Sequence, residues 1–326
     1  MLNSAGDAQY MAAALALSQR GRGQTGANPN VGCVIVKQGV IVGRGWTQPG
    51  GRPHAEEMAL AQAGAAARGA DIYVTMEPCA HESTRGPTCS ISIIEAKPKR
   101  VIVATLDADE RTRRRGIDRL GDAGITVSVG IREVEARRAM AGFLCRVENS
   151  RPFVTLKLAM SLDGCIAMAD GSSQWITGDQ ARAHAHLERA RNDAILVGAG
   201  TARTDRPGLD VRLDGLADRS PQPVVLGTDK DMPEHWLQID EPTAIADLAD
   251  INWLLVEGGA KTAASFLQAG LVDRLLLYRA PIIIGGGLPA IADIGLEKLG
   301  EAHGQWRRTD RRELGQDMLE IYDRAA

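Results

Sequence analysis

Strand-type apolar runs alternate with helical segments along the whole chain. Residues 31–36 and 40–46 are β-branched runs joined by Lys37-Gln-Gly39, which predicts a β-hairpin. Further strands are predicted at residues 71–75, 100–104 and 125–129, and helices at 10–19, 54–68, 89–96, 111–123 and 132–146. This alternation indicates an α/β fold in which helices cover a sheet.

A second α/β half follows a polar segment that contains a proline, residues 147–152. Strands are predicted at residues 153–158, 193–197, 223–226, 253–256 and 274–278, and helices at 179–190 and 260–269. A length of 326 residues suits two domains. We therefore place one domain at residues 1–147 and the other at residues 148–326.

The charge balance argues against a polyanionic partner. The chain has 38 basic and 41 acidic residues, a formal net charge of −3, so a nucleic-acid-binding surface is not favoured. Residues 1–9 lack a basic region followed by an apolar run, and no stretch approaches the roughly 20 apolar residues of a membrane span. We expect a cytoplasmic protein that binds neither nucleic acid nor membrane.

The most specific motif combines His54-Ala-Glu56, Pro78-Cys79 and Cys89. A lone histidine or cysteine is usually structural, but one imidazole and two sulfurs together leave a fourth tetrahedral position for water, as a catalytic zinc ion requires. Zinc lowers the pKa of that water towards about 7. Glu56, two residues beyond His54, is placed to move protons as a general acid/base. The pattern predicts a zinc deaminase.

The cysteine count fits reduced thiols better than a disulfide framework, because five cysteines are few and odd in number. Cys33 lies inside an apolar run, and Cys145 and Cys165 have no ligand-like neighbours. We expect these three to be packing residues.

Nine residues separate Cys79 from Cys89, whereas deaminases of cytidine, tRNA adenosine and single-stranded DNA resemble one another in a two-residue PCxxC spacing. With residues 28–36, 77–81 and 86–89, this longer spacing resembles the deaminase half of the bifunctional riboflavin-biosynthesis deaminase/reductase family. The resemblance implies a cytidine-deaminase-like three-layer domain that deaminates 2,5-diamino-6-(5-phosphoribosylamino)pyrimidin-4-one. It also implies substrate contacts at Asn28, His81 and Arg85.

Two features depart from that family. The stretch of residues 81–85 is one residue longer than usual, and Asp109 stands where the family commonly has asparagine. The first departure leaves open which side chain meets the substrate phosphate. The second places a carboxylate near an anionic substrate, but neither departure touches the zinc ligands or Glu56.

Three glycine-rich turns in the second half each follow an apolar strand: residues 198–200, 257–259 and 285–287. Each is also an ordinary turn signal. The GxGxxG fingerprint is missing from this second half, so a standard Rossmann site is not expected there. The turn at Glu257-Gly-Gly-Ala260 runs from a strand into a helix and is the best phosphate-binding candidate, because free amides at a helix start favour an anion.

Residues 157–164, 173–177, 193–201 and 205–212 look like successive motifs of the same family's reductase domain. The resemblance implies a dihydrofolate-reductase-like α/β domain that reduces the ribosyl group to ribityl with NADPH, and a homodimer. It implies NADPH contacts at Ala159, Trp175, Thr201, Asp205, Thr228, Gly259, Ala260, Lys261, Thr262, Ala263, Ala264 and Ser265. It implies substrate contacts at Ser173, Arg189, Leu209, Arg212 and Glu257. We assign Asp205 the further role of orienting the cofactor near the reacting carbon, and Arg189 and Arg212 the role of a phosphate clamp.

Only 28 residues lie between Thr228 and Glu257, fewer than this family usually has, so a strand or a cofactor-flanking loop could be missing. We favour the bifunctional enzyme, acting with zinc and NADPH on a small phosphorylated pyrimidine. One alternative is a deaminase whose shortened C-terminal half serves only as a binding or dimerisation module. The other is a nucleic-acid deaminase, which the net charge and the ligand spacing disfavour.

Overall fold

In a computed structural model of the chain, residues 4–80, 86–228 and 232–325 are described. Two compact units divide the chain, Met1–Ser150 and Arg151–Ala326. The division falls inside the polar segment at residues 147–152. Among the described residues, no helix is both long and apolar enough to cross a membrane.

The first unit is built on a five-stranded sheet of order β2-β1-β3-β4-β5. Its elements are α1 (Ser4–Ser18), β1 (Gly32–Lys37), β2 (Val40–Trp46), α2 (Ala55–Ala63), β3 (Asp71–Met76), α3 (Cys89–Ala96), β4 (Arg100–Thr105), α4 (Arg115–Asp122), β5 (Thr126–Val129), α5 (Glu133–Ala139) and α6 (Ala141–Asn149). Strand β1 is antiparallel to β2, as the predicted hairpin requires, and it is also antiparallel to β3. Strands β3, β4 and β5 are parallel.

Four predicted helices of this unit have different bounds in the structure, and α1, predicted at residues 10–19, begins at Ser4. The helix predicted at residues 54–68 ends at Ala63, where Gly64 takes a positive φ of 52°, a conformation that favours glycine. The helix predicted at 111–123 begins only at Arg115, because side chains bond the backbone of the preceding loop instead. The helix predicted at 132–146 is divided at Met140 into α5 and α6.

A half-buried ion-pair network connects α1 to the central strands. Arg100 on β4 donates to both carboxylate oxygens of Asp7, at 2.9 and 2.8 Å, and to Asp71 at 2.8 Å. The Tyr73 hydroxyl also donates to Asp7, at 2.6 Å. These hydrogen bonds, that from Arg100 first, lower the pKa of Asp7 although burial opposes them. The network fixes the helix that covers one face of the sheet.

The second unit contains an eight-stranded sheet of order β10-β9-β8-β11-β6-β12-β15-β14. Its elements are β6 (Phe153–Met160), β7 (Cys165–Ala167), α7 (Asp179–Arg189), β8 (Ala194–Gly198), α8 (Ala199–Asp205), β9 (Gln222–Leu226), β10 (Leu237–Ile239), β11 (Trp253–Val256), α9 (Ala260–Gln268), β12 (Val272–Arg279), β13 (Leu288–Pro289), β14 (Trp306–Leu314) and β15 (Asp317–Arg324). The strands from β10 to β12 are parallel, and β15 and β14 form an antiparallel edge.

The short connection between Thr228 and Glu257 still contains a strand. Strand β10 pairs with β9 in parallel and forms one edge of the sheet. The connection therefore extends the sheet rather than leaving β9 as its edge.

Candidate functional site

Three elements of the first unit bring His54, Cys79 and Cys89 together. His54 precedes α2, Cys79 follows β3, and Cys89 is the first residue of α3. The Nδ1 atom of His54 lies 3.2 Å from the Sγ atom of Cys89 and 3.6 Å from that of Cys79. All candidate ligand atoms lie within 4.8 Å of one another. One imidazole and two sulfurs at these separations fit the donor set of a catalytic zinc ion.

The surroundings of this cluster shift the pKa values of Cys79 and His54. Hydrogen bonds from the Cys89 thiol and from His54 lower the pKa of Cys79 to about 4 although burial opposes them. Burial lowers the pKa of His54, but its hydrogen bond with Cys79 and the charge of Glu56 raise it overall. This lowering favours the thiolate of Cys79, which is the form of cysteine that binds metals.

Glu56 lies in the first turn of α2 with only 4% of its surface exposed. Burial raises the pKa of its carboxyl group to about 7; His54 opposes this shift and the Cys79 thiolate adds to it. A carboxyl group that titrates near neutrality can both accept and donate a proton. Glu56 shares a cavity of about 210 Å³ with His54 and Cys79.

Asn28 lines the same cavity, so the structure brings this predicted substrate contact next to the cysteine and histidine cluster. The backbone of Gly51 lies against the Asn28 side chain. Gly51 has a φ of +89°, and a Cβ atom at this position would lie 2.0 Å from Asn28 Nδ2. Only glycine fits against the asparagine at this point. The predicted contacts His81 and Arg85 lie outside the described residues.

Asp107, Asp109 and Thr112 form another part of the cavity lining. The carboxylate of Asp109 is held by Arg111, whose Nε and Nη2 atoms lie 2.9 and 2.6 Å from its two oxygens. The departure from the family's asparagine thus introduces an ion pair rather than a lone negative charge.

A larger cavity of about 780 Å³ lies in the second unit. Seven of the predicted contacts line it: Ala159, Ser173, Trp175, Arg189, Asp205, Leu209 and Arg212. Thr201, Thr228, Glu257 and residues 259–265 are not among its lining residues. They follow the carboxyl ends of β8, β9 and β11, three adjacent parallel strands, which is where α/β sheets bind ligands.

Helix α9 packs tightly onto these strand ends through Thr262. A Cβ atom at Gly198 would lie 2.3 Å from Thr262 Oγ1, and one at Gly258 would lie 2.6 Å from Thr262 Cβ. The two glycines therefore let the start of α9 approach the ends of β8 and β11. Thr262, predicted as a cofactor contact, is a buried packing residue at this junction.

Two residues that line the larger cavity, Lys157 and Arg189, form a buried ion-pair cluster with Glu257. Arg189 donates to both Glu257 oxygens, at 2.9 and 3.0 Å, and to the carbonyl of Asp210 at 3.1 Å. The ammonium group of Lys157 lies 3.6 Å from Glu257. Burial raises the pKa of Glu257, but Lys157 and Arg189 outweigh it and hold the pKa at about 2.

This cluster occupies the guanidinium group of Arg189, which we predicted as one of the two arginines of a phosphate clamp. The guanidinium nitrogens of Arg189 that could bind a phosphate are hydrogen-bonded to the Glu257 carboxylate instead. Arg212 is 61% exposed and uses its Nε atom to bind Asp210 at 3.0 Å. Lys157 was not predicted as a site residue, although it lies within the apolar run at residues 153–158 and is the first residue of the family motif at residues 157–164.

Comparisons with known proteins match both halves of the chain. The family model for the cytidine and deoxycytidylate deaminase zinc-binding region matches residues 4–105, and that for the RibD C-terminal domain matches residues 152–319. The riboflavin biosynthesis protein RibD of Aquifex aeolicus is 37% identical, over 98% of this chain and 98% of that protein. The chain belongs to the RibD family. RibD of Escherichia coli is 39% identical, over 96% of this chain and 98% of that protein.

Solved structures of the RibD family agree with this assignment. Acinetobacter baumannii RibD has a TM-score of 0.87 at 34% identity, with 98% of this chain and 99% of that chain covered. A Thermotoga maritima structure is described as a diaminohydroxyphosphoribosylaminopyrimidine deaminase/5-amino-6-(5-phosphoribosylamino)uracil reductase. It has a TM-score of 0.85 at 30% identity over 98% of this chain and 99% of that chain. The predicted fold class, a cytidine-deaminase-like domain followed by a dihydrofolate-reductase-like domain, is confirmed.

Proposed function

We propose that this RibD family member catalyses two consecutive steps of riboflavin biosynthesis. The first domain hydrolytically deaminates 2,5-diamino-6-(5-phosphoribosylamino)pyrimidin-4-one, and the second reduces the ribosyl group of the product to ribityl with NADPH. The observation that carries the proposal is the His54, Cys79 and Cys89 cluster beside buried Glu56, in a chain that matches RibD proteins over nearly its full length. That coverage also argues against the deaminase-only alternative.

For deamination, His54, Cys79 and Cys89 are the residues that would hold the zinc ion. When bound, zinc supplies a water molecule whose pKa is lowered towards about 7. Glu56 is placed to accept a proton from the attacking water and to donate it to the departing amino group, which leaves as ammonia. Asn28 holds the ring, and His81 and Arg85 are proposed as further substrate contacts.

For reduction, we assign NADPH to Ala159, Trp175, Thr201, Asp205 and Thr228, and to the accessible residues of the turn, Gly259, Ala260, Lys261 and Ser265. Thr262, Ala263 and Ala264 are buried and support this turn by packing. The start of α9 offers free backbone amides to the cofactor phosphates. Ser173 and Leu209 contact the substrate, Glu257 is held in place for that contact by Arg189, and Arg212 meets the substrate phosphate. Asp205 orients the cofactor towards the reacting carbon.

We also infer a cytoplasmic homodimer. All five cysteines are free thiols in the structure, which suits a reducing compartment. The dimer rests on the family resemblance alone. Sedimentation of the purified chain tests it, because a monomer at micromolar concentration would contradict it.

Removing the metal is expected to separate the two activities. Protein treated with a chelator should give up about one zinc ion per chain. It should then no longer produce ammonia from the diaminopyrimidine. It should retain NADPH oxidation with the deaminated pyrimidine, because the assigned reductase residues all lie beyond residue 152. Metal analysis and the two assays on one preparation check this. Freshly purified, active enzyme that contains no zinc would contradict the metal assignment.

Replacing Arg212 by alanine is expected to raise the KM for the deaminated pyrimidine phosphate about tenfold with a smaller change in kcat. A phosphate contact acts on the ground state and the transition state alike, and one hydrogen bond to a charged group is worth about that factor. Arg203→Ala is the matched control, because Arg203 is an exposed arginine on α8 that does not line the cavity. Equal KM values for both variants and the parent enzyme would remove Arg212 from the phosphate site.

A further inference from the structure

A buried glutamate at the end of β3 is held in a fixed position beside the deaminase cavity. Glu77 follows the last residue of β3, and its backbone N–H donates to the carbonyl of Thr105 at the end of β4 at 2.9 Å. Its side chain is 6% exposed and lines the same cavity as Glu56 and Cys79. Nothing in the proposed chemistry uses this carboxylate.

The carboxylate of Glu77 accepts hydrogen bonds from backbone amides at residues 107–117, which lie far along the chain. Its Oε1 atom accepts from Gly116 at 2.9 Å and from Ile117 at 3.4 Å. Its Oε2 atom accepts from Arg114 at 2.9 Å and from Asp107 at 3.2 Å. A negative charge at the first turn of α4 also interacts favourably with the helix dipole.

Asp107, whose backbone N–H binds Glu77, in turn holds two further residues of the cavity lining. Its Oδ1 atom accepts the backbone N–H of Asp109 at 3.0 Å, and its Oδ2 atom accepts the hydroxyl of Thr112 at 2.7 Å. Asp107, Asp109 and Thr112 all line the cavity. One carboxylate therefore anchors a hydrogen-bonded loop whose three polar side chains face the substrate space.

Close packing leaves little alternative position for this loop. A Cβ atom at Gly116 would lie 2.0 Å from the carbonyl oxygen of Pro78, so α4 begins in direct contact with the residue after Glu77. Glutamine at position 77 would turn an N–H group towards at least one backbone N–H. Aspartate is one methylene shorter and would withdraw its oxygens from these amides.

We propose that Glu77 is a positioning residue for deamination, whose carboxylate fixes residues 107–117 as a wall of the substrate cavity. The proposal deepens the proposed function and rests on it. The hydrogen bonds of the Glu77 carboxylate go to backbone amides of this loop. Its effect passes through the loop, so it should act chiefly on substrate binding.

The test compares Glu77→Gln with Asp118→Asn in the full chain. Asp118 is an exposed carboxylate in the first turn of α4, so its variant controls for the loss of charge at that helix start. Hydrogen exchange of the backbone amides at residues 107–117 is measured for both variants and the parent protein. The KM and kcat for the diaminopyrimidine, the zinc content and NADPH oxidation with the deaminated pyrimidine are measured on the same samples.

For Glu77→Gln we expect the amides of Asp107, Arg114 and Gly116 to exchange faster while β3 and β4 stay protected. We expect kcat/KM for deamination to fall by about 10- to 100-fold, mostly through KM, because loosening a positioning element has effects of this size. Zinc content, NADPH oxidation and the Asp118→Asn variant should match the parent protein. Unchanged exchange, a loss confined to kcat, or loss of zinc would each overturn the proposal. A parent enzyme that does not deaminate would instead contradict the proposed function, and the exchange measurement still tests the anchored loop.

Discussion

Glu56→Gln is expected to lower the kcat for deamination by about two to four orders of magnitude, the usual contribution of a general acid/base. Glutamine is nearly the same size and keeps the buried position of Glu56, but it cannot accept and return a proton. The zinc content should remain at about one ion per chain. Steady-state ammonia release and metal analysis on the same sample check both statements.

Glu57→Gln is the matched control for this variant. Glu57 is the next residue on α2, but its carboxylate binds Arg52 at 2.9 Å and does not line the cavity. Its variant should deaminate at close to the parent rate. NADPH oxidation with the deaminated pyrimidine should be unaffected in both variants. A Glu56→Gln enzyme with near-normal deamination would assign the proton transfer to another group.

Arg189→Met is expected to destabilise the second unit by about 3–5 kcal/mol, because it leaves the Glu257 carboxylate buried without its main hydrogen-bond partner. The side chains of Arg189 and Glu257 are only 16% and 11% exposed, so solvent screens this pair weakly. Reduction should be lost with it. Urea unfolding followed by a probe in the second unit measures the change in the free energy of unfolding.

A second variant separates lost stability from lost chemistry. Replacing both partners, Arg189→Met with Glu257→Leu, removes the buried carboxylate that has lost Arg189. It should recover part of the stability, because Lys157 then loses its own ion pair with Glu257, and none of the reduction. If Arg189→Met alone unfolds at the parent urea concentration, the pair does not contribute as described.

The same pair predicts an acid-dependent loss of stability. The pKa of Glu257 is about 2 in the folded chain, below its ordinary value of 4.5. A lowered folded-state pKa means that the stabilisation is complete above about pH 4.5 and is lost as the pH falls towards 2. The double variant should lack this contribution to the acid transition.

The zinc site could be predicted from the sequence because the types and the spacing of its residues carry the chemistry. His54, Cys79 and Cys89 each lie at a strand or helix end, and the structure brings their side chains together. The hairpin of β1 and β2 was predicted for a similar reason, since apolar runs and a short turn are local signals.

The remaining contacts depend on tertiary structure and leave no local pattern. Arg189 and Glu257 are 68 positions apart, and Glu77 binds amides 30 to 40 positions away. The C-terminal hairpin of β14 and β15 was missed, because β14 is an edge strand with four arginines and little buried surface. Such a strand lacks the alternation of apolar and polar residues that marks a half-buried strand.

A coupled assay tests the central claim of two activities in one chain most directly. The diaminopyrimidine substrate is given first without and then with NADPH, and ammonia release and NADPH oxidation are followed separately. We predict ammonia release in the absence of NADPH, followed on its addition by oxidation of one NADPH for each ammonia released. Ammonia release without any NADPH oxidation, even with the deaminated pyrimidine supplied directly, would contradict the bifunctional account.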